Sequence, residues 1–238
     1  MAFAGLEDFE AELEIGRRLA GVEGPVASLE PRVEPRVYER QGFAVTLWTY
    51  YEQAGQALLP TDYAKALERL HAGMASVNVA VPHFSDRVAE AQQLVASPNR
   101  TPGLDHSERK LLSSTLRSQI REIGERSSAE QLLHGEPHAG NLLNTNSGPL
   151  FIDLETCCRG PVEFDLAHVP EEVSECYAGA DQELLRACRL LVLAMVAAWR
   201  SDLDDQLPNG QRAGQELLCA LRAGPPWPAL DAVWARVS

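Results

Sequence analysis

The sequence predicts an α+β protein in two unequal parts, a small strand-bearing region followed by a larger helical one. Two observations carry that prediction. β-branched and aromatic residues, punctuated by Gly and Pro, cluster before residue 52. From about residue 60 onward the apolar residues recur at helical spacing.

Residues 6–20 read as a helix, with Phe9, Leu13, Leu19 and Ala20 roughly on one face. Residues 26–29 and 33–38 are short β-like runs, broken by Pro31 and Pro35. Residues 43–51, FAVTLWTYY, are the strongest strand candidate in this part. Beyond it, Thr61-Asp62 can cap a helix carrying Tyr63, Leu67, Leu70 and Met74. Residues 86–96, 107–127, 184–201, 211–223 and 230–237 read as further helices, and Arg109, Arg117, Arg121 and Arg126 on the second of these suggest surface ion pairs.

The 238 residues suffice for one large domain or two small ones with a real core. A net charge of −13 disfavours nonspecific nucleic-acid binding, which draws its affinity from Lys and Arg on phosphates. Five cysteines, an odd number with no C-x-x-C pair, do not suit a secreted disulfide framework and fit a reducing cytoplasm. The start, MAFAGLEDFEAELE, lacks the pattern of a signal peptide, and the longest apolar run, residues 190–198, is too short to span a bilayer. Oligomeric state is not legible.

The stretch 131–170, QLLHGEPHAGNLLNTNSGPLFIDLETCCRGPVEFDLAHVP, concentrates the chemistry. His134 and His138 stand four apart, as in helical zinc motifs, but Gly135 and Pro137 between them oppose a helix, and Glu136 is at the wrong offset. Residues 141–145 and 149–152 are two short apolar runs joined through Asn146-Ser147-Gly148, a hairpin signal. A hairpin brings its open ends together, setting Asn141 beside Asp153 with Glu136 close by. An Asn amide and an Asp carboxylate supply hard oxygens that suit Mg²⁺. A further carboxylate can orient a hydroxyl and accept its proton, as in phosphoryl transfer from ATP. The same pattern also fits a polar hairpin whose Asn and Asp are ordinary turn residues.

At these residues a family resemblance becomes specific. HGEPHAGN, residues 134–141, resembles the H-G-D-x-H-x-x-N catalytic loop of the aminoglycoside phosphotransferase and choline kinase-like family. FIDLE, residues 151–155, resembles that family's I-D-x-E segment, and PVEFDLA, residues 161–167, its G-x-P-x-x-D-L-A segment. The resemblance implies a protein-kinase-like fold with a reduced N-lobe (1–52), a hinge near residue 52 and a mainly helical C-lobe (53–238). It implies transfer of the γ-phosphate of ATP, with Mg²⁺, to a hydroxyl of a small molecule. Glu136 takes the place of the catalytic Asp, and Asn141 and Asp153 would hold the metal. His134 would brace the loop, and His138 would brace it or sit near substrate. Glu155 and Asp165 would support the loop or substrate, with Asp165 as a structural anchor. Thr49, Tyr50 and Tyr51 would meet adenine, and Glu12 corresponds to the helix Glu that pairs with a phosphate-binding Lys.

Two departures stand out. Glu136 is one methylene longer than the family's Asp, and a misplacement of about 1 Å can cost on the order of 100-fold in rate. The Lys and the Gly-rich phosphate loop expected before the helix 6–20 are missing, since the only lysines are Lys65 and Lys110. The chain therefore reads as N-terminally truncated, a real short form or a misassigned start. That departure raises an alternative: a pseudoenzyme that serves as a ligand- or partner-binding scaffold.

Overall fold

The computed structural model describes residues 6–22, 24–127 and 129–237. The first five residues, on which part of the reading of the acidic start rests, lie outside them. Helix α1 (Leu6–Ala20) opens the fold and buries Leu13, Ile15 and Leu19. A two-stranded antiparallel ribbon follows, β1 (Tyr38–Arg40) and β2 (Phe43–Val45). Its turn is Gln41-Gly42, both at positive φ, the geometry that matches the twist of a tight hairpin.

The strand expected over 43–51 is shorter than predicted. After Val45 the chain pairs only through single bridges, Leu29 with Trp48, and Glu30 N–H with Leu47 O at 3.0 Å. Residues 26–29 contribute bridges rather than a strand, and 33–37 none. Propensity favoured extended backbone here, but a continuous ladder needs a partner of equal length, and this segment has none.

Helix α2 (Pro60–Ala75) starts with Pro60 rather than at a Thr61-Asp62 cap, because proline's missing N–H costs nothing in the first turn. It buries Tyr63, Leu67, Leu70, His71 and Met74. Helices α3 (Phe84–Ala96) and α4 (His106–Arg126) each begin with a capping box, His83 with Asp86 and Asp105 with Glu108. Arg121 and Arg126 pair with Glu125 and Glu122, as expected. Arg109 instead turns inward and donates to Thr101 Oγ1 at 2.9 Å and to the main chain of Val95 and Thr101.

Two short strand pairs and small helices form the polar centre. β3 (Gln131–Leu133) pairs antiparallel with β6 (Cys158–Gly160), and β4 (Leu142–Thr145) with β5 (Gly148–Phe151). The latter hairpin is tighter than predicted. Gly148, at φ +111, joins the strand opposite Thr145 and leaves Asn146-Ser147 as the turn. Then come α5 (Val162–Leu166), α6 (Glu171–Cys176), α7 (Gln182–Trp199), α8 (Gly210–Ala223) and α9 (Leu230–Val237).

Helix α7 is the spine of the helical part, with α3, α4, α5 and α8 packed around it. Its Leu191 and, on α4, Leu116 are fully buried. Each such side chain contributes roughly 1.5–3 kcal/mol by leaving water. The N-terminal part is tied to this body through the hairpin. Phe151 N–H donates to Pro25 O at 2.7 Å, and Ala27 N–H donates to Phe151 O at 2.9 Å. Among the described residues no helix is long and apolar enough to cross a membrane.

Candidate active site

The loop between β3 and β4 hangs from one buried carboxylate. Asp165, on α5 and fully buried, accepts from His134 N–H at 2.9 Å and from Gly135 N–H at 2.8 Å. It also accepts from His71 Nε2 at 3.0 Å. Burial opposes its charge, but the His71 hydrogen bond and the nearby His71, His134 and Gly135 groups outweigh that, holding Asp165 below the usual carboxylate range. The other ring nitrogen of His71, Nδ1, lies in hydrogen-bond contact with the Tyr177 hydroxyl, 2.8 Å away. Burial pushes that hydroxyl up to about 12, so it stays protonated.

His134 is buried, and its Nε2 donates to Ile152 O at 3.0 Å. This joins the start of the loop to the end of the hairpin. Burial lowers its pKa, so the ring is neutral. Gly135 has φ +89, and a Cβ there would fall 2.0 Å from Thr156 O, so only glycine fits.

Glu136 is mostly buried and forms an ion pair with Arg87 of α3, through Oε1. Arg87 also donates to Gly135 O at 3.4 Å and lies over the Trp199 ring, 5.1 Å from its centroid. Burial works against the charge of Glu136, yet Arg87, with His168 and His138, holds it below an ordinary glutamate. The extra methylene of Glu136 is thus taken up in reaching across to α3. His138 turns back on its own loop, its Nδ1 accepting from Gly140 N–H at 3.1 Å. Pro137 O accepts from the Tyr63 hydroxyl, which fixes the loop from α2.

The hairpin's open end brings Asn141 and Asp153 together. Ile152 N–H donates to Asn141 O at 3.0 Å, so Asp153 follows directly on Asn141's cross-strand partner. Asn141 Nδ2 donates to Glu136 O at 3.1 Å, which commits the amide nitrogen and leaves Oδ1 as the available atom. Asp153 adopts a left-handed backbone, φ +64, a conformation that costs a non-glycine residue energy and re-aims its side chain. No group of three or more potential metal-binding His, Cys, Asp or Glu side chains occurs among the described residues.

Glu12 lies near Asp153. It is 7% exposed, and α1 packs on the short turn Leu154–Thr156 that carries Glu155. Burial, then the charges of Asp153 and Glu155, raises Glu12 from 4.5 to about 7. Its carboxylate accepts from the Thr46 hydroxyl, at 3.4 Å, and from the Leu154 main chain. No Lys or Arg pairs with it among the described residues. Of the residues expected at adenine, Thr49 is already tied into the fold: its N–H donates to Ser28 O and its hydroxyl to Leu29 O. The Tyr51 hydroxyl accepts from Ser28 N–H at 3.2 Å, and Tyr50 is 85% exposed.

Arg87, His71 and Tyr177 shape the site without having been singled out in the sequence, and Tyr63, read there as part of the apolar stripe of α2, does so too. For His71 a signal existed: a histidine inside the apolar stripe of α2. Arg87 carries none, since its partner lies 49 residues away.

The comparisons with known proteins agree with this architecture. Residues 4–216 match the family model described as the phosphotransferase enzyme family. No curated protein matches the chain by sequence. Among solved structures, a choline kinase from Streptococcus pneumoniae is similar with a TM-score of 0.69 at 13% identity, over 93% of this chain and 82% of that one. An amicoumacin kinase in complex with AMP-PNP, Ca²⁺ and Ami gives 0.67 at 11%, over 94% and 80%. The AMP-bound complex of a spectinomycin phosphotransferase gives 0.61 at 15%, over 96% and 84%. At these identities the likeness speaks for a shared protein-kinase-like fold, with a mainly helical second part. The family model covers most of the sequence and includes every loop residue described above, and the chain belongs to the phosphotransferase enzyme family.

Proposed function

We propose that this chain transfers the γ-phosphoryl group of ATP to a hydroxyl of a small molecule, with Mg²⁺ held by Asn141 and Asp153. The observation that carries the reading is the open end of the β4–β5 hairpin. There Asn141 has its amide nitrogen committed and its oxygen available, beside the half-exposed Asp153 carboxylate. Two hard oxygens from amide and carboxylate fit Mg²⁺, which keeps water and phosphate oxygens as its remaining ligands. Bound there, the ion would offset the charge of the phosphates.

The other roles follow from the chain's own geometry. Glu136 has Oε1 bound to Arg87, which leaves Oε2 to accept the hydrogen bond of an acceptor hydroxyl. Its lowered pKa keeps it ionised, which suits orientation of the hydroxyl more than early removal of its proton. Asp165, His134 and Tyr63 hold the loop that carries it. We read residues 1–52 as the N-terminal lobe segment and 53–238 as the C-lobe. Adenine would lie against the main chain of Tyr50–Tyr51, since the N–H and hydroxyl of Thr49 are committed elsewhere. Five free cysteines suit a cytoplasmic setting, where ATP is also supplied.

Calorimetric titration with Mg·ATP tests the reading. Saturable binding by the wild-type chain, abolished in Asp153→Ala with the fold intact, is the expected result. Equal binding by both would remove Asp153 from the site. No binding by folded wild type would remove the nucleotide.

A further inference from the structure

The catalytic hairpin has two ends, and the second one also borders an opening. A cleft of about 840 Å³ lies between the turn of the β4–β5 hairpin, the segment 56–59 and one face of α2. That volume falls within the range of small-molecule sites. Glu136, Asn141 and Asp153 do not line it. The strands have four residues each, so roughly 13 Å of hairpin separates the turn from the open end.

The charges in this cleft are unequally committed. Lys65 and Arg69, one helical turn apart on α2, both line it and are exposed. Neither forms a hydrogen bond or an ion pair with any described residue. Two like charges at this spacing repel one another by a few tenths of a kcal/mol. They stand free in a chain with 34 acidic and 21 basic residues. The two acids of the lining have other work. Glu68 accepts from Ala178 N–H at 2.8 Å, and Asp62 lies in the first turn of α2, where a negative charge favours the helix. Uncommitted amide side chains of Gln56 and Asn146 add donors. Leu59, 60% exposed, and Pro149 add an apolar wall.

We propose that this cleft binds a small organic anion, a carboxylate or phosphate ester with an apolar body, on Lys65 and Arg69. The anion would seat its charged group between the two cations and its body against Leu59 and Pro149. The site is separate from phosphoryl transfer and does not depend on that reading. It touches the hairpin nonetheless: Asn144 Nδ2 donates to Gln56 O at 2.8 Å, and Ala54 N–H to Asn144 O at 2.7 Å. A ligand there stiffens the same strands that carry Asn141 and Asp153 at their far end.

Amide-resolved NMR titration of the full chain, without nucleotide, tests the proposal. The probes are phenyl phosphate and benzoate, with benzyl alcohol and benzylamine as neutral and cationic controls, each up to about 10 mM. The expected result is saturable shifts in residues 53–69 and 144–149 for the two anions, absent for the controls. The double substitution Lys65→Gln, Arg69→Gln, both at exposed positions, should weaken that binding by about tenfold or more. The inference is overturned if neither anion binds, if the controls bind equally, if the double variant binds unchanged, or if the shifts gather around residues 134–141 and 153. Inorganic phosphate separates the two halves of the site. Binding weaker than that of phenyl phosphate supports the apolar wall, and equal binding removes it.

Discussion

The loop around Glu136 and the surroundings of Glu12, next to Asp153, are balanced differently. On the loop side every charge has its counterpart. Glu136 has Arg87, and Asp165 has two N–H groups and an imidazole. Glu12, by contrast, is buried next to two further acids, Asp153 and Glu155. Pre-arranged dipoles and cations let the first set of carboxylates stay ionised in a dry place. The second set meets the same desolvation with less compensation, and Glu12 responds by holding its proton to about pH 7. Half of the site is built in advance, and the other half carries a surplus of negative charge that a bound cation would relieve.

Removing the keystone of the balanced side should have the largest effect. Asp165→Ala leaves two main-chain N–H groups and His71 without an acceptor in the interior. A loss of about 3–5 kcal/mol in urea unfolding is expected. A loss below about 1 kcal/mol would mean that the loop does not depend on this anchor.

The unbalanced side should respond in the opposite direction. The folded value of Glu12 lies above its unfolded 4.5, so the folded chain binds the extra proton. The stability this proton contributes is present below about pH 4.5 and is lost as pH rises toward 7. In metal-free protein, Glu12→Gln should therefore gain on the order of 2–3 kcal/mol relative to wild type near about pH 8, and little near about pH 4. Stability curves of the two proteins that run parallel across this range would show that the surplus charge costs nothing.

The smallest effect sharpens where the balance ends. Tyr177→Phe removes the outermost hydrogen bond of the chain Tyr177–His71–Asp165. About 1 kcal/mol is expected, with the loop geometry retained. A loss as large as that of Asp165→Ala would place the tyrosine inside the anchor rather than at its edge.

The helices were legible because their apolar spacing is local. Residues 6–20 form the expected helix, and five later segments lie within two residues of theirs. The motif around Glu136 was legible for the same reason: its loop, hairpin and anchor fall within 34 consecutive positions. The strands were less so. FAVTLWTYY has strand composition throughout, yet only Phe43–Val45 finds a continuous partner. Arg87 and His71 escaped notice because each acts across a long separation, 49 residues to Glu136 and 94 to Asp165. Helix α3 shows an ordinary amphipathic pattern, in which an arginine beside Val88 reads as solvated. Its role depends on which loop the fold delivers to it.

The cysteines that follow the β4–β5 hairpin give the molecule a built-in clock. Cys157 and Cys158 are buried, and burial drives the first thiol far up and the second up to about 12. Cys176 and Cys219 are exposed. An alkylating reagent therefore modifies the exposed pair at once, while the buried pair waits for the segment after Asp153 to open. The delay counts how often the site comes apart, and a ligand that holds the hairpin closed would lengthen it.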